Sequence, residues 1–283
     1  MKKFIVFTLS IILPCLSFAQ AHIETKKVKI ADFSEKITKV VLTGNMFHDA
    51  ALKKDVSARW NISPFEFCTT EECNELLSDS NYYFLLTTTG QFRNEKEPGL
   101  VFLTLVKGGA SNDKGLNGML EIISFPFASA EEPSGREYVF LPTILDMIQT
   151  YITDSTNNDV NGYIGLPNYT LNIYKSGKMN IIFSETDLSN EITPEYKQAH
   201  FDENIHVLKE EEADEYLTPE KTNTLVSYVV VPSDAKSGSY CYKMLFDTES
   251  SKLYYFRKHK LSKKAGAGFL AEDIKRICSP RKK

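Results

Sequence analysis

The stretch Ser63-Pro-Phe-Glu-Phe-Cys-Thr-Thr-Glu-Glu-Cys-Asn-Glu-Leu-Leu77 specifies a strand running into a capped helix. Phe65 and Phe67 alternate with Glu66 and Cys68, the two-residue period of a short strand, and Pro64 suits a strand's first position. Thr69 and Glu72 have the spacing of a capping box, which satisfies free amides at a helix start. Cys73, Leu76 and Leu77 follow at i, i+3 and i+4, giving the helix one apolar stripe to lay on a sheet.

The pattern returns 140 residues later. Ile205-His-Val-Leu208 falls on Phe65–Cys68, and Lys209 to Leu217 falls on Thr69 to Leu77, with Ala213, Tyr216 and Leu217 repeating the stripe. Upstream, Val40-Val-Leu42 meets Asn180-Ile-Ile182. The helical pattern of Leu52, Val56 and Trp60 meets a segment opened by Thr193-Pro194, an N-cap followed by proline at the first helical position. Downstream, Tyr82 to Leu86 is echoed by Tyr228 to Val231, Leu100 to Val106 by Tyr240 to Phe246, and Met119 to Phe125 by Lys252 to Lys258. The chain is therefore expected to be an α/β protein of two tandem β-α-β-α-β-β-β-α units, an internal duplication or two ordinary domains sharing one element order.

Met1 to Ala21 has the form of a signal peptide: Lys2 and Lys3 precede the apolar run Phe4 to Leu16, and Ser17-Phe-Ala19 supplies small residues for cleavage. That run is too short to span a bilayer, and no other segment is apolar enough to do so. The mature product is expected in a Gram-negative periplasm or secreted. The first unit is expected over 22–153, ending in a helix from Arg136 to Thr153 with Pro142 in its first turn. A polar linker is expected over 154–168 and the second unit over 169–283. Asp154-Ser-Thr156 also resembles a short O-glycosylation motif of exported proteins, set against a plain polar linker.

The 283 residues include 42% hydrophobic and 25% charged side chains, which excludes a disordered chain and leaves length for two cores. Net charge is −4 but uneven: Lys252 to Lys283 holds eleven Lys or Arg against Glu272 and Asp273, so the end carries +9 and residues 1–251 carry −13. Four cysteines follow the leader. Cys68, Cys73, Cys241 and Cys278 all fall at small apolar core positions, so at least two are expected as buried thiols, with Cys68 and Cys73 the pair if one forms.

No cofactor motif is present, and catalytic candidates are scattered. Ser111 with Lys114 and Ser233 with Lys236 have SxxK spacing but lie in hairpin loops, where the lysine is not held one helical turn from the serine. Gly108 to Gly115 reads as the loop of a long hairpin. His200, Glu203 and His206, with Asp202 among them, are zinc-ligand types at a spacing that fits a turn better than a metal site. The basic patch Arg257, Lys258, Lys260, Lys263 and Lys264 is suited to neutralising the acidic body or to an anionic envelope component. A periplasmic address and the lack of interleaved aromatics argue against nucleic acid.

The order β-α-β-α-β-β, with Tyr82–Leu86 as a central strand and Phe246-Asp-Thr-Glu-Ser-Ser-Lys-Leu-Tyr254 as an outer hairpin, is similar to the small α/β domain of Gram-negative envelope proteins. Examples are the amino-terminal domain of TolB and the lipoprotein activators of peptidoglycan synthases. The chain departs from them in carrying two copies and no propeller. The resemblance implies a non-enzymatic interaction or scaffold protein with an envelope partner, and it brings no catalytic residue. The alternative is an exported hydrolase or ligand-binding enzyme with a pocket at the seam between the units.

Overall fold

Thr69 caps the second helix as its spacing requires: its hydroxyl accepts from the Glu72 amide at 3.2 Å, and the Glu72 carboxylate accepts from the Thr69 amide at 2.8 Å. The computed structural model containing this cap describes residues 30–282, apart from 92–94, 96, 110–115, 117 and 159–164. The signal-peptide stretch 1–21 and the Ser111/Lys114 pair lie outside the described residues.

The first unit runs β1 (Ile37–Val41), α1 (Met46–Arg59), β2 (Phe65–Cys68), α2 (Thr70–Leu76), β3 (Tyr82–Gly90), β4 (Leu100–Lys107), β5 (Leu120–Ser129) and α3 (Arg136–Asn157). The second runs β6 (Asn180–Ser184), α4 (Pro194–His200), β7 (Ile205–Leu208), α5 (Glu210–Asp214), β8 (Thr224–Val230), β9 (Tyr240–Asp247), β10 (Leu253–Lys260) and α6 (Ala271–Cys278). Each unit forms one five-stranded mixed sheet, ordered β2-β1-β3-β4-β5 and β7-β6-β8-β9-β10. In both, the first strand is parallel to its two neighbours and the last three strands form antiparallel hairpins. Element order and pairing thus repeat in full, and Tyr82 to Leu86 lies on the central strand of its sheet.

Strand pairing corrects the offsets between the copies. Val41 pairs with Cys68 and Ser184 with Leu208, so the first strands stand 143 residues apart where the second strands stand 140 apart. Tyr83 and Leu225 likewise occupy matching positions, four residues from the match expected of Tyr82 with Tyr228. The cause is crossover length: α4 has 7 residues where α1 has 14, and the segment before β8 is longer than that before β3.

Alternation within the strands separates two faces on each sheet. Val40, Tyr83, Leu85 and Leu105 face α1 and α3; Val41, Cys68, Phe84 and Leu86 face α2. In the second sheet, Phe183, Leu225, Leu245 and Tyr255 face α4 and α6, while Val226, Tyr228, Met244 and Phe246 face back toward the first unit. Helix α3 fills the space between the sheets: Phe140 stacks on Tyr228 at 4.2 Å and meets Phe246 at 5.9 Å. The units are therefore stacked the same way round, the helical layer of the first on the back of the second sheet, and one core runs through both.

Helix α3 differs from expectation in three ways. It continues to Asn157, four residues into the expected linker. It starts at Arg136, so Pro142 lies in the second turn rather than the first. It is buried on both flanks rather than one, with Phe140, Leu141 and Met147 fully covered beside Ile144, Ile148 and Tyr151. An interior proline disfavours a helix by about 3 kcal/mol, less than burial of this many large side chains supplies. Ser155, in the Asp154-Ser-Thr156 motif, is fully buried on α3.

The 3-10 segment Leu166–Lys175 covers part of the β10 edge. The Thr170 hydroxyl both donates to the Phe256 carbonyl (2.7 Å) and accepts from its amide (3.1 Å), and the Asn172 amide donates to the Leu253 carbonyl (2.8 Å). The edge groups of half the strand are thereby satisfied.

Candidate functional site

The joint between the units is organised by the first residue of α3. Gly135 has φ +89°, a left-handed conformation that glycine adopts without strain, and its amide donates to Glu137 Oε2 at 2.9 Å. This turn aims Arg136 across the seam. Its Nε donates to both Asp214 carboxylate oxygens (2.8 and 3.0 Å), Nη1 to Asp187 (2.9 Å) and Nη2 to the Ser227 carbonyl (2.9 Å). The other Asp187 oxygen accepts from the Ser227 hydroxyl at 2.5 Å. The guanidinium also lies over the Phe140 and Tyr228 rings, 5.2 and 5.6 Å from their centroids.

The charge state follows from this packing. Burial disfavours the Arg136 cation, but Asp187 and Asp214 outweigh it and hold its pKa up. Burial pushes the Asp214 carboxyl up to about 6 and raises Asp187 as well, against the attraction of Arg136. Glu210 adds a further carboxylate 3.9 Å from Nη1. The guanidinium is thus committed to holding the units together, while carboxylates remain in excess around it.

Two cavities flank this joint. The seam cavity, about 370 Å³, is lined by Glu132, Arg136, Glu137, Asp187, Glu210 and Tyr228 among others. The second, about 310 Å³, opens between α1, β3 and β5 and contains His48, Thr87, Phe127 and Tyr138. His48 Nε2 lies 3.1 Å from the Thr87 hydroxyl, Nδ1 lies 3.4 Å from the Tyr138 hydroxyl, and burial lowers its pKa. Glu137 belongs to both linings. It is 2% exposed, and its Oε1 has no hydrogen-bond partner among the described residues. A larger open groove, about 690 Å³, runs past Asn61, Asp146, Gln149 and Asn172, whose polar atoms are engaged with Arg59, with one another and with the Leu253 carbonyl.

The histidines expected as weak metal candidates are not assembled into a site. His200 ends α4 with its ring stacked on Tyr196 at 4.0 Å and Nδ1 on the Tyr196 carbonyl at 3.0 Å, whereas His206 is exposed on β7. Asp202 instead holds Arg281 through two bonds of 2.8 and 3.1 Å. Among the described residues no group of three or more His, Cys, Asp or Glu is arranged to hold a metal ion. Ser233 and Lys236 sit in the β8–β9 loop, with Lys236 paired to Asp234 and the Ser233 amide donating to Ser129.

The basic patch divides. Arg257 turns inward to Glu272 (3.0 Å) and Asp273 (3.4 Å), and Arg276 also pairs with Glu272. Lys258 and Lys260 are exposed, their ammonium groups 5.2 and 5.4 Å from the Tyr240 ring centroid, and Lys263 and Lys264 are exposed in the following turn. Among the described residues no carboxylate pairs with these four lysines.

Of the five cysteines, the four among the described residues, Cys68, Cys73, Cys241 and Cys278, are buried thiols outside any disulfide. Burial pushes the Cys73 thiol up to about 12 and Cys241 to about 11, so little thiolate exists at neutral pH. The chain without Met1–Ala21 is expected to resist iodoacetamide when native and to alkylate at Cys68, Cys73, Cys241 and Cys278 when denatured without reductant. Absence of free thiol after denaturation would show that disulfides form instead.

Arg136, Glu137 and Asp187 carried no sequence signal as a group, because they are brought together by the stacking of two units. The local clue was Ser134-Gly135-Arg136-Glu137, a turn-forming glycine placed immediately before a helix. The chain matches no family model, no curated protein and no solved structure.

Proposed function

We propose that the chain is an exported, periplasmic protein of the cell envelope that works by binding an anionic envelope component or partner protein. The observation that carries this reading is the division of the basic patch: arginines of the C-terminal region are spent on carboxylates of the same chain, while Lys258 and Lys260 at the end of β10 and Lys263 and Lys264 in the turn after it stay exposed. Clustered cations of this kind attract an anionic surface over roughly a Debye length, about 8 to 10 Å at ordinary salt. The leader-like Met1–Ala21 and the envelope-domain resemblance of the β9–β10 hairpin support the address.

The test is crosslinking and affinity capture from a native envelope with the four lysines exchanged for glutamine. Capture is expected to fall several-fold and more steeply at high salt, with an unchanged melting temperature. Equal capture by the substituted protein, or a lowered melting temperature with unchanged capture, would remove this reading.

A second reading is favoured by the seam cavity: a ligand-binding or enzymatic pocket between the units. Its volume of about 370 Å³ lies in the range that accepts small molecules, and ionisable groups converge on it.

A further inference from the structure

We infer that the seam cavity binds a small organic cation through a primary ammonium or guanidinium group seated on Glu137. This inference rests on the seam-pocket reading and adds the chemistry of the ligand.

Three observations converge on it. Glu132, Glu137, Asp187 and Glu210 line the cavity and Asp214 is bonded to Arg136, whose guanidinium is the one cationic group of the lining, so carboxylates are in excess there. That guanidinium is spent: its donors are directed to Asp187, Asp214 and the Ser227 carbonyl, none toward Glu137. Glu137 itself is 2% exposed, its Oε2 accepts from the Gly135 amide and the Ser134 hydroxyl, and Oε1 is unpartnered among the described residues. A buried carboxylate oxygen without a donor is costly, and a ligand that supplies a charged N–H at that point recovers a charge-assisted hydrogen bond. An anionic ligand would meet the carboxylate excess and is disfavoured by the same geometry. A metal ion would need several ligands converging at short distance, and no such group exists among the described residues. Ala128, Val230 and Pro232 in the lining supply apolar surface for the aliphatic body of such a cation.

The probes are agmatine, which carries both head groups, 1,4-butanediamine, and its neutral counterpart 1,4-butanediol, titrated into the mature chain and followed by NMR and calorimetry. An acetylated Gly-Arg-Gly amide presents the same guanidinium on a peptide, and whichever of agmatine and peptide binds tighter identifies the source of the group. Glu137→Gln is the decisive variant. Its amide oxygen can keep the bonds to Gly135 and Ser134, which places an NH2 where the free oxygen stood and turns an acceptor into a donor. Loss of one charge-assisted bond is expected to weaken agmatine about tenfold or more, with the melting temperature of the free protein preserved. If Glu137→Gln fails to fold, Glu210→Gln, whose side chain is 34% exposed, is expected to weaken agmatine several-fold. Equal binding of butanediol and butanediamine at the seam would overturn the cation inference and leave the pocket reading standing. No response to any probe would remove both, and unaltered agmatine binding by a folded Glu137→Gln protein would remove Glu137 as the seat.

Discussion

Replacing Arg136 with methionine is expected to destabilise the protein by about 3–5 kcal/mol, read as a fall in the urea midpoint at unchanged slope. The side chain is 5% exposed and stands between Asp187, 3% exposed, and Asp214, 12% exposed. Methionine fills much of the space but leaves two carboxylates facing each other away from water, with the Ser227 carbonyl also unbonded. The cost therefore comes chiefly from stranded charge rather than lost attraction. Accordingly, adding Asp187→Asn and Asp214→Asn to Arg136→Met should recover more than half of the loss. A single substitution costing less than about 1 kcal/mol would mean that the cluster is hydrated and does not hold the units together.

The second large effect is expected at Asp273. Its carboxylate, 1% exposed, holds buried Lys243, accepts from the Tyr255 hydroxyl at 2.6 Å and from the Leu270 amide at 2.8 Å, and so ties α6 to β9 and β10. Asp273→Ala leaves the Lys243 ammonium uncompensated and removes the cap of α6, with an expected loss of about 3–5 kcal/mol. Asp273→Asn keeps an acceptor for Tyr255 or Leu270 and should lose less. The neighbouring Glu272→Ala is the control: Glu272 is 59% exposed and its pairs with Arg257 and Arg276 are solvated, so a change within about 1 kcal/mol is expected. Equal losses at 272 and 273 would show that burial does not set the strength of these pairs.

Local order was legible in the residues. The capping box at Thr69, the proline after the Thr193 cap and the alternation of Phe65 and Phe67 each rest on contacts within a few positions, and each element forms where its pattern lies. The repeated order was legible because it needs only the succession of such elements. What escaped was whatever depends on the two sheets meeting. The apolar stripe of Ile144, Leu145, Ile148, Tyr151 and Ile152 describes one face of α3, and only the second sheet explains why Phe140 and Met147 are buried as well. Arg136 looked like an ordinary helix-start residue, since its partners lie 51 and 78 positions away. In the basic tail, charge alone does not distinguish Arg257 from Lys258. Strand alternation does, sending one side chain toward α6 and the next away from it.

The stacking of the units also gives the molecule a direction. Two equal bodies joined through like surfaces form a closed pair with interchangeable ends; here they meet through unlike surfaces, helices against the back of a sheet. One end of the stack is therefore the α2 side of the first sheet and the other is the α4–α6 layer, and neither can replace the other. A partner that recognises one end finds a single copy of its target per chain despite the repeat. One element order, repeated, thus presents two different ends.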